Sequence, residues 1–259
     1  MNIKKILKYF QQLIPSSWLE GMQHLHSSLI FEWILHNGSQ PLALSQKSAM
    51  VFSPHQDDET FGCGGIIALK REQGIPVVVV FITDGQGGGV ANPASQKTIA
   101  EIRKEEALTA LSILGVESSE IYFMEKPDGT LPYLENNDRQ QTIEQIAMLL
   151  ERHQPEEVYV PHRKDCHRDH EATYELVKEA VTKVGNKVEF LEYPIWLLWR
   201  APLFILIKLQ DIKAAYSLSI TSVQDKKNRA INSYCSQIDS LPHNFIKRFL
   251  GTNEIFFRS

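Results

Sequence analysis

Two short polar clusters of this chain carry side chains that bind metals and move protons. The first reads HQDDE and places His55 and Asp58 three residues apart, and the second reads HRDH and places His167 and His170 three residues apart. Two imidazoles and one carboxylate, with a fourth position open to water, are typical of a catalytic zinc site. His55, Asp58 and one of the two later histidines would supply that set.

Ligand chemistry alone leaves the choice between the two later histidines open. The pattern favours His170, because it lies one turn inside a predicted helix and is held more rigidly than His167 at the helix start. A lone histidine is more often a surface or core residue than a ligand, but two spaced pairs at the ends of predicted strands favour a metal site. We therefore predict one Zn²⁺ per chain, with another divalent metal as the alternative.

The acids that flank Asp58 then have separate tasks. A metal lowers the pKa of a water molecule, and a neighbouring carboxylate can take the proton. Asp57 is free for that role. Glu59 is interpreted as a residue that orients a ligand, and the simpler interpretation of both acids is that they complement the dipole at a helix N-terminus.

The clusters belong to a regular alternation of strands and helices that begins after residue 46. Apolar runs predict the strands SAMVFSP, PVVVVFITDG, EIYFME, EEVYVPH and KVEFLEYP, and segments with helical periodicity separate them. Nearly continuous apolar strands are expected where both faces of a sheet are covered. The pattern therefore predicts an α/β domain over residues 46–259, with a mostly parallel sheet between two helical layers. Residues 1–45 are predicted to be an N-terminal helical extension.

Topology explains how clusters that are distant in sequence can meet. In open α/β sheets, ligands bind outside the carboxyl ends of the strands. HQDDE follows the first predicted strand, TDGQGGG the second and PHRKDCHRDH the fourth. These segments are therefore expected to converge at one edge of the sheet.

Composition narrows the class of protein. The chain has 259 residues, a net charge of −4 and no overall basic character, so nucleic acid is not an implied partner. Three widely spaced cysteines, Cys63, Cys166 and Cys235, indicate a reducing compartment, and we expect a cytoplasmic location. No secretory signal is recognised at the N-terminus.

Two apolar segments raise the question of membrane contact. Residues 1–14 place apolar side chains at helical spacing beside lysines, which predicts a helix packed on the domain or, as the alternative, one resting on a membrane surface. Residues 193–209 contain Arg200 and two prolines and are too short to span a bilayer. We interpret this second segment as buried or lining a cleft, so peripheral membrane contact is allowed but not required.

The two motifs together identify a family. PHQDDETFGCGG and HRDH resemble the LmbE/PIG-L family of zinc-dependent N-acetylglucosamine deacetylases, whose signature is His-Pro-Asp-Asp-Glu with a later His-Pro-Asp-His. The resemblance spans roughly residues 48–258 and includes Arg103 in a helix that matches the family's arginine-bearing one. It implies a Rossmann-like α/β fold and an amino-sugar substrate.

The resemblance also implies roles for individual residues. It assigns three zinc ligands, His55, Asp58 and His170. It assigns Asp57 as the general base, and His167 as the group that stabilises the oxyanion or protonates the leaving amine. Asp169 would orient a histidine, and Arg103 would contact the sugar or the group attached to it. The chain departs from the signature at Gln56 and Arg168, where the family commonly has proline.

Further hypotheses stay open. Asp84 in TDGQGGG is expected to bind the sugar or to support the site, with simple turn formation as the alternative. Within the hydrolases, the activity could be that of an amidase on a thiol-glycoside conjugate. Outside them, GCGG and GQGGG suggest a nucleotide-binding module, although no G-x-G-x-x-G opens the first helix. A metal-bearing protein that binds sugar without turnover is a third alternative.

Overall fold

The computed structural model describes residues 15–87, 98–201 and 214–258, and within them the predicted alternation is present. The strands are β1 Gln40–Pro41, β2 Ala49–Ser53, β3 Val77–Thr83, β4 Ile121–Lys126, β5 Glu157–Pro161, β6 Glu189–Tyr193, β7 Ala215–Ser219 and β8 Asn253–Arg258. The helices are α1 Ser16–Trp33, α2 Asp58–Glu72, α3 Ile99–Leu114, α4 Asn136–His153, α5 Arg168–Val184, α6 Leu197–Arg200, α7 Gln224–Ile231, α8 Cys235–Ile238 and α9 His243–Lys247. The predicted α/β fold is confirmed.

The strands form one eight-stranded sheet in the order β1-β7-β8-β6-β5-β2-β3-β4. Strand β2 pairs in parallel with β3 on one side and with β5 on the other, so the chain order reverses between β2 and β5. This reversal is the topological switch point at which open α/β sheets bind ligands. Strand β8 runs antiparallel to β6 and β7, which the sequence pattern did not predict.

Apolar side chains cover both faces of the sheet. One core cluster joins α2 and α3 to one face, and a second joins α4 and α5 to the other. Strands β2, β3 and β5 are buried along their whole length, because helices cover them from both sides. Their nearly continuous apolar sequences have the same cause.

Glycines allow α2 to lie close to its neighbours. A Cβ atom on Gly62 would come within 2.3 Å of the ring of Tyr193, and one on Gly65 within 2.4 Å of Ile220. Cys63 between them is fully buried in the core, as expected for a packing residue. The glycines after HQDDE therefore serve helix packing in this structure.

Helix α1 forms most of the described part of the predicted N-terminal extension, and strand β1, which also lies within residues 1–45, pairs with β7 at the edge of the sheet. Ile30 of α1, together with the following Ile34, packs against Leu197 and Leu198 of α6. The predicted apolar stripe of residues 1–14 and the end of the segment 193–209 lie outside the described residues, and the domain boundary at residue 45 stays a prediction. None of the described helices combines the length and the apolar character needed to cross a bilayer.

A buried ion pair ties the C-terminal elements to α2. Nζ of Lys227 in α7 lies 2.7 Å from Oε1 of Glu254 in β8 and donates to the carbonyl of Phe61 at 2.8 Å. The Glu254 carboxylate also accepts from the backbone N–H groups of Gly65 and Ile66. Both charged side chains are 2% exposed, so each depends on the other for compensation.

We predict that Lys227→Met lowers the free energy of unfolding by about 3–5 kcal/mol, because it leaves the Glu254 carboxylate buried without its cation. Urea denaturation followed by circular dichroism measures this loss. Lys226→Met is the matched control, since its ammonium pairs with Glu72 at 3.0 Å near the surface. The control should change stability by less than about 1 kcal/mol. Equal losses in the two variants would contradict the assignment of Lys227 as a structural cation.

Candidate metal and catalytic site

The two polar clusters meet at the switch point of the sheet. HQDDE forms the turn between β2 and α2, and α2 begins at Asp58. His167 is the N-cap residue of α5, which follows β5, and His170 lies in the first turn of that helix. Because β2 and β5 are parallel neighbours, both helix starts lie at the same edge of the sheet.

Two imidazole nitrogens converge on one carboxylate oxygen. Oδ2 of Asp58 lies 2.9 Å from Nδ1 of His55 and 3.1 Å from Nε2 of His170. All three side chains are buried. Nε2 of His170 lies close to the carboxylate but is not aligned for a hydrogen bond with any described group. The donors therefore surround one point, as the ligands of a single cation do.

Carboxylates on the far side of the rings strengthen this interpretation. Nδ1 of His170 lies 2.7 Å from Oδ2 of Asp165. A carboxylate that accepts the N–H of one ring nitrogen fixes the tautomer, so the lone pair of the other nitrogen points inward. Burial lowers the pKa of both imidazoles, but the surrounding carboxylates outweigh it and raise the pKa of His170 to about 9 and that of His55 well above its usual value. A divalent cation bound at Asp58 would take the place of the protons on the inward nitrogens. The donor set thus fits a divalent metal held by two imidazoles and one carboxylate.

Asp165 itself is held by backbone groups at the start of α6. It is fully buried, and its carboxylate accepts from the N–H groups of Ile195, Trp196 and Leu197 at 2.9 to 3.0 Å. Backbone donors thus orient one carboxylate, and that carboxylate orients His170. Asp165 was not among the predicted site residues, although an acid five residues before a predicted ligand histidine is a usable signal.

His55 has corresponding support. Its Nε2 lies 3.1 Å from Oδ1 of Asp128 and 3.3 Å from Oδ2 of Asp169. Asp169 also accepts from the N–H groups of Gly129 and Leu131. Asp169 therefore contacts His55, in accord with the expectation that it orients a histidine. Asp128 was missed, because its PDG sequence predicted only a turn.

The structure offers two other groupings of donors around His55. The ligand atoms of His55, His167 and His170 lie within 4.8 Å of one another, and so do those of His55, Asp128 and Asp169. The second grouping matches the hydrogen bonds that orient His55. The first leaves His167 as an alternative ligand, so geometry alone does not decide between Asp58 and His167 as the third donor.

Asp57 stands beside this centre in a strained backbone conformation. Its φ of 141° is in a region that favours glycine, and such strain is characteristic of functional sites. Its N–H donates to Oε2 of Glu59 at 3.1 Å, and its Oδ1 accepts from Nη2 of Arg103 at 3.3 Å. These two contacts hold the carboxylate at the pocket.

The surroundings of Asp57 suit it to accept a proton near neutral pH. The pKa of Asp57 is raised to about 7. Burial is the largest cause, the charge of Arg103 lowers the pKa, and the charge of the neighbouring Asp58 raises it. Burial would also raise the pKa of Asp58, but His170 and His55 outweigh it and hold the pKa well below its usual value. Two adjacent aspartates thus differ in proton affinity because their neighbours differ.

The described hydrogen bonds of the Glu59 carboxylate are with neighbouring protein groups other than the histidines. Its carboxylate accepts from Thr60 and Tyr234 as well as from the Asp57 backbone. Burial raises its pKa, and these hydrogen bonds lower it. Its place in the structure is that of a support for the strained Asp57.

His167 lies at the pocket with one nitrogen outside any hydrogen bond. Its ring is 4.9 Å from that of His55 and 4.6 Å from that of His170, and its Nδ1 is buried without a hydrogen-bond partner among the described residues. Burial, followed by the charges of His170 and His55, lowers the pKa of His167 to about 3. The ring is therefore neutral at physiological pH and can donate from only one nitrogen.

The turn that follows β2 is connected to the turn that follows β3. Nε2 of Gln56 donates to the backbone carbonyl of Thr83 at 2.8 Å, and the backbone carbonyl of Gln56 accepts from Nη2 of Arg103. Arg103 also donates to the carbonyl of Gly85 at 3.1 Å. Gln56, at which the chain departs from the family signature, therefore provides one of the bonds that join these turns.

Asp84 lies behind the loop that carries Asp128. Its Oδ1 accepts from the N–H groups of Gln86 and Asp128 at 3.0 and 3.1 Å. These are contacts of a residue that shapes the site. The part of TDGQGGG that follows Gly87 lies outside the described residues.

A cavity of about 340 Å³ opens onto these groups. His55, Asp57, Asp58, His167, Arg103 and Asp128 line its base, and Ile195, Trp196, Leu241 and Phe245 form an apolar wall. The rings of Trp196 and Phe245 stack at 4.2 Å. The described start of the segment 193–209 thus contributes both buried and cleft-lining residues. A larger groove between α4 and α5 contains none of the predicted site residues.

The sequence is similar to those of a hydratase and a deacetylase. A protein of Pseudomonas putida named 4-oxalmesaconate hydratase is 31% identical over 202 residues, which cover 74% of this chain and 74% of the hydratase. A Bacillus cereus protein named probable N-acetyl-alpha-D-glucosaminyl L-malate deacetylase 2 is 30% identical over 148 residues. That match covers 55% of this chain and 64% of the deacetylase.

Solved structures and a family model agree with the predicted resemblance. The crystal structure of a conserved protein from Thermus thermophilus superposes with a TM-score of 0.62 and 25% identity, over 82% of this chain and 94% of the other. The model of the family described as PIG-L, GlcNAc-PI de-N-acetylase, matches residues 50–181, which contain both histidine motifs. With the α/β fold and this site at its switch point, the chain belongs to the PIG-L (LmbE) family.

Proposed function

We propose that this protein is a metal-dependent hydrolase that removes the acetyl group from an N-acetylglucosamine-type amino sugar. The observation that carries the proposal is the placement of Asp57, a buried carboxylate with a raised pKa, beside three converging metal donors at the base of the cavity. The family description and the name of the Bacillus relative support deacetylation of this class of substrate.

The metal would be held by His55, Asp58 and His170. Nitrogen and oxygen donors in this ratio, together with an open side facing the cavity, favour zinc, and one ion per chain satisfies the set. When bound there, a divalent metal polarises the acetamide carbonyl and lowers the pKa of water. Asp165 and Asp169 keep the two imidazoles turned inward.

Asp57 accepts a proton from the attacking water. The water oxygen bonds to the acetamide carbon, the carbon–nitrogen bond breaks, and the proton passes to the departing amine, so that acetate and a free amino sugar leave. Arg103 and Glu59 hold Asp57 in place during these steps through its side chain and its backbone. A positioned carboxylate of this kind contributes about 10²–10⁴-fold to the rate.

His167 has the position to stabilise charge. Its ring lies at the cavity between the metal donors and the apolar wall, and its low pKa keeps it neutral. In that state it donates one hydrogen bond to the oxygen or nitrogen that gains charge as the amide opens. Trp196 and Leu241 then face the sugar or the group attached to it.

The hydratase relative supports a second candidate, the addition of water to a carbon–carbon double bond. Its match covers more of this chain than the match with the Bacillus deacetylase. Both reactions need an activated water beside a base, so the inner site alone does not separate them. Release of acetate from N-acetylglucosamine and its glycosides, measured enzymatically, tests the first. Loss of ultraviolet absorbance of an unsaturated tricarboxylate tests the second.

We also place the enzyme in a reducing compartment, the cytoplasm. No disulfide joins the cysteines in the described part of the chain, and Cys63 is buried in the core, where burial raises its pKa well above the usual value. A thiol of this kind is inert and takes no part in the proposed chemistry.

We predict that Asp57→Asn keeps bound metal but lowers kcat by about 10²-fold or more, because the amide cannot accept the proton. Acetate release gives kcat, and elemental analysis of purified protein gives metal content. Asp84→Asn is the control, since the contacts of Asp84 are with backbone groups behind the site, and it should retain activity to within about tenfold. Normal turnover in Asp57→Asn would show that another group is the base.

We predict a graded loss of metal along one chain of contacts. His170→Ala removes a donor and should abolish stoichiometric binding, whereas Asp165→Asn keeps the donor and should weaken affinity about 10–100-fold. Competition with a chromogenic chelator measures both. Full metal content in His170→Ala would transfer the ligand role to His167, which the double variant with His167→Ala would reveal.

A further inference from the structure

The outward face of helix α1 is apolar. The exposed residues between Trp18 and Leu29 all lack a charge: Trp18, Gly21, Met22, Leu25 and Leu29. The four large side chains among them are 59 to 73% exposed. Spacings of four, three and four residues place them on one line along the helix, about 16 Å long. We call these four residues the α1 stripe.

The opposite face of α1 is already occupied. Ser27 and Ile30 are buried, Ile30 packs against Leu197 and Leu198, and the ring of His24 lies 6.5 Å from that of Trp199. The domain therefore fixes which side of α1 points outward. A surface helix normally turns charged and polar side chains outward, so the exposed line reverses the usual pattern.

Charge points to one kind of occupant. The sequence that leads into α1 contains Lys4, Lys5 and Lys8, and the first acid of the chain is Glu20. Three positive charges without an acid, in the sequence that precedes a helix with an exposed tryptophan, complement the anionic headgroups and the interfacial zone of a lipid bilayer. Trp18 stands at the end of the stripe nearest these lysines in sequence, and tryptophan prefers that zone.

The size of the stripe argues against a protein partner. Stable protein interfaces use about 20–30 residues on each side. The four side chains of the α1 stripe are far fewer. A coiled coil needs apolar positions over at least three or four heptads. Here the next position after Leu29 is Glu32, so the apolar line covers only about two heptads. A bilayer needs no such complementary surface, since it accepts any apolar face that lies parallel to its plane.

We propose that α1 docks on the surface of an anionic membrane through Trp18, Met22, Leu25 and Leu29, with its axis parallel to the bilayer. The stripe lies on the helix that packs against α6, and α6 begins directly after Trp196 of the cavity wall. Docking would therefore place α6 and the adjoining cavity wall on the side of α1 that faces away from the lipid. This surface role does not depend on the proposed deacetylation.

Flotation of the full-length protein with vesicles tests the proposal. The protein should float with vesicles of phosphatidylcholine and phosphatidylglycerol, and less with phosphatidylcholine alone or at high salt. The double variant Leu25→Glu with Leu29→Glu should lose about tenfold or more in partitioning, because two charges replace buried apolar contact. Met148→Glu is the matched control, since Met148 is 58% exposed on α4, outside the stripe, and should bind as the wild type does.

Wild-type protein that stays with the unbound fraction would overturn the proposal, and so would a double variant that floats equally well. Sedimentation velocity identifies the other occupant: a wild-type dimer that becomes a monomer in the double variant, with vesicle binding unchanged, would assign the stripe to a second copy of the chain.

Matching thermal melts establish that the variants fold. If the double variant melts early, Leu25→Gln provides the same comparison with a smaller change. Vesicle binding by a protein that releases no acetate would leave docking intact and refute only the proposed reaction.

Discussion

The burial of charge at the switch point is the constraint on which the site depends. His55, Asp57, Asp58 and His170 are all removed from water, and a buried ionised group is stable only when opposite charge or hydrogen bonds compensate it. Asp58 has two imidazoles, Asp57 has Arg103, and each imidazole has a carboxylate behind it. Each of these compensating contacts also fixes the direction of a side chain, so the requirement for stability and the geometry for chemistry are met together.

The groups that orient the supporting carboxylates come largely from segments outside the histidine motifs. Asp165 is oriented by backbone N–H groups at the start of α6, and Asp128 by contacts with the turn after β3. Glu59 is held by Tyr234 from the C-terminal region. Segments that are distant in sequence thus converge on the imidazoles and on Asp57, which explains why the C-terminal region belongs to the same folded unit as the motifs.

The same scaffold is consistent with more than one reaction. Sequence similarity joins this chain to both a hydratase and a deacetylase. In the proposed reaction, the substrate contacts the wall of the cavity as well as the metal donors. Here the wall is apolar and aromatic, with Trp196 stacked on Phe245. Under the proposed function, the wall residues Ile195, Trp196, Leu241 and Phe245 are the candidates for substrate selection.

The sequence by itself determined the fold class, the approximate limits of the alternating strands and helices, and the pair of histidine motifs. It could do so because helical and strand periodicities are local, and because parallel strands direct their carboxyl ends to one edge. The tertiary structure alone decided that Asp165 and Asp128 stand behind the imidazoles and that Gln56 joins two turns. It also placed β8 antiparallel in the sheet. Those features are contacts between segments that carry no local signal, since a carboxylate in a turn has the same sequence pattern whether it faces solvent or a histidine.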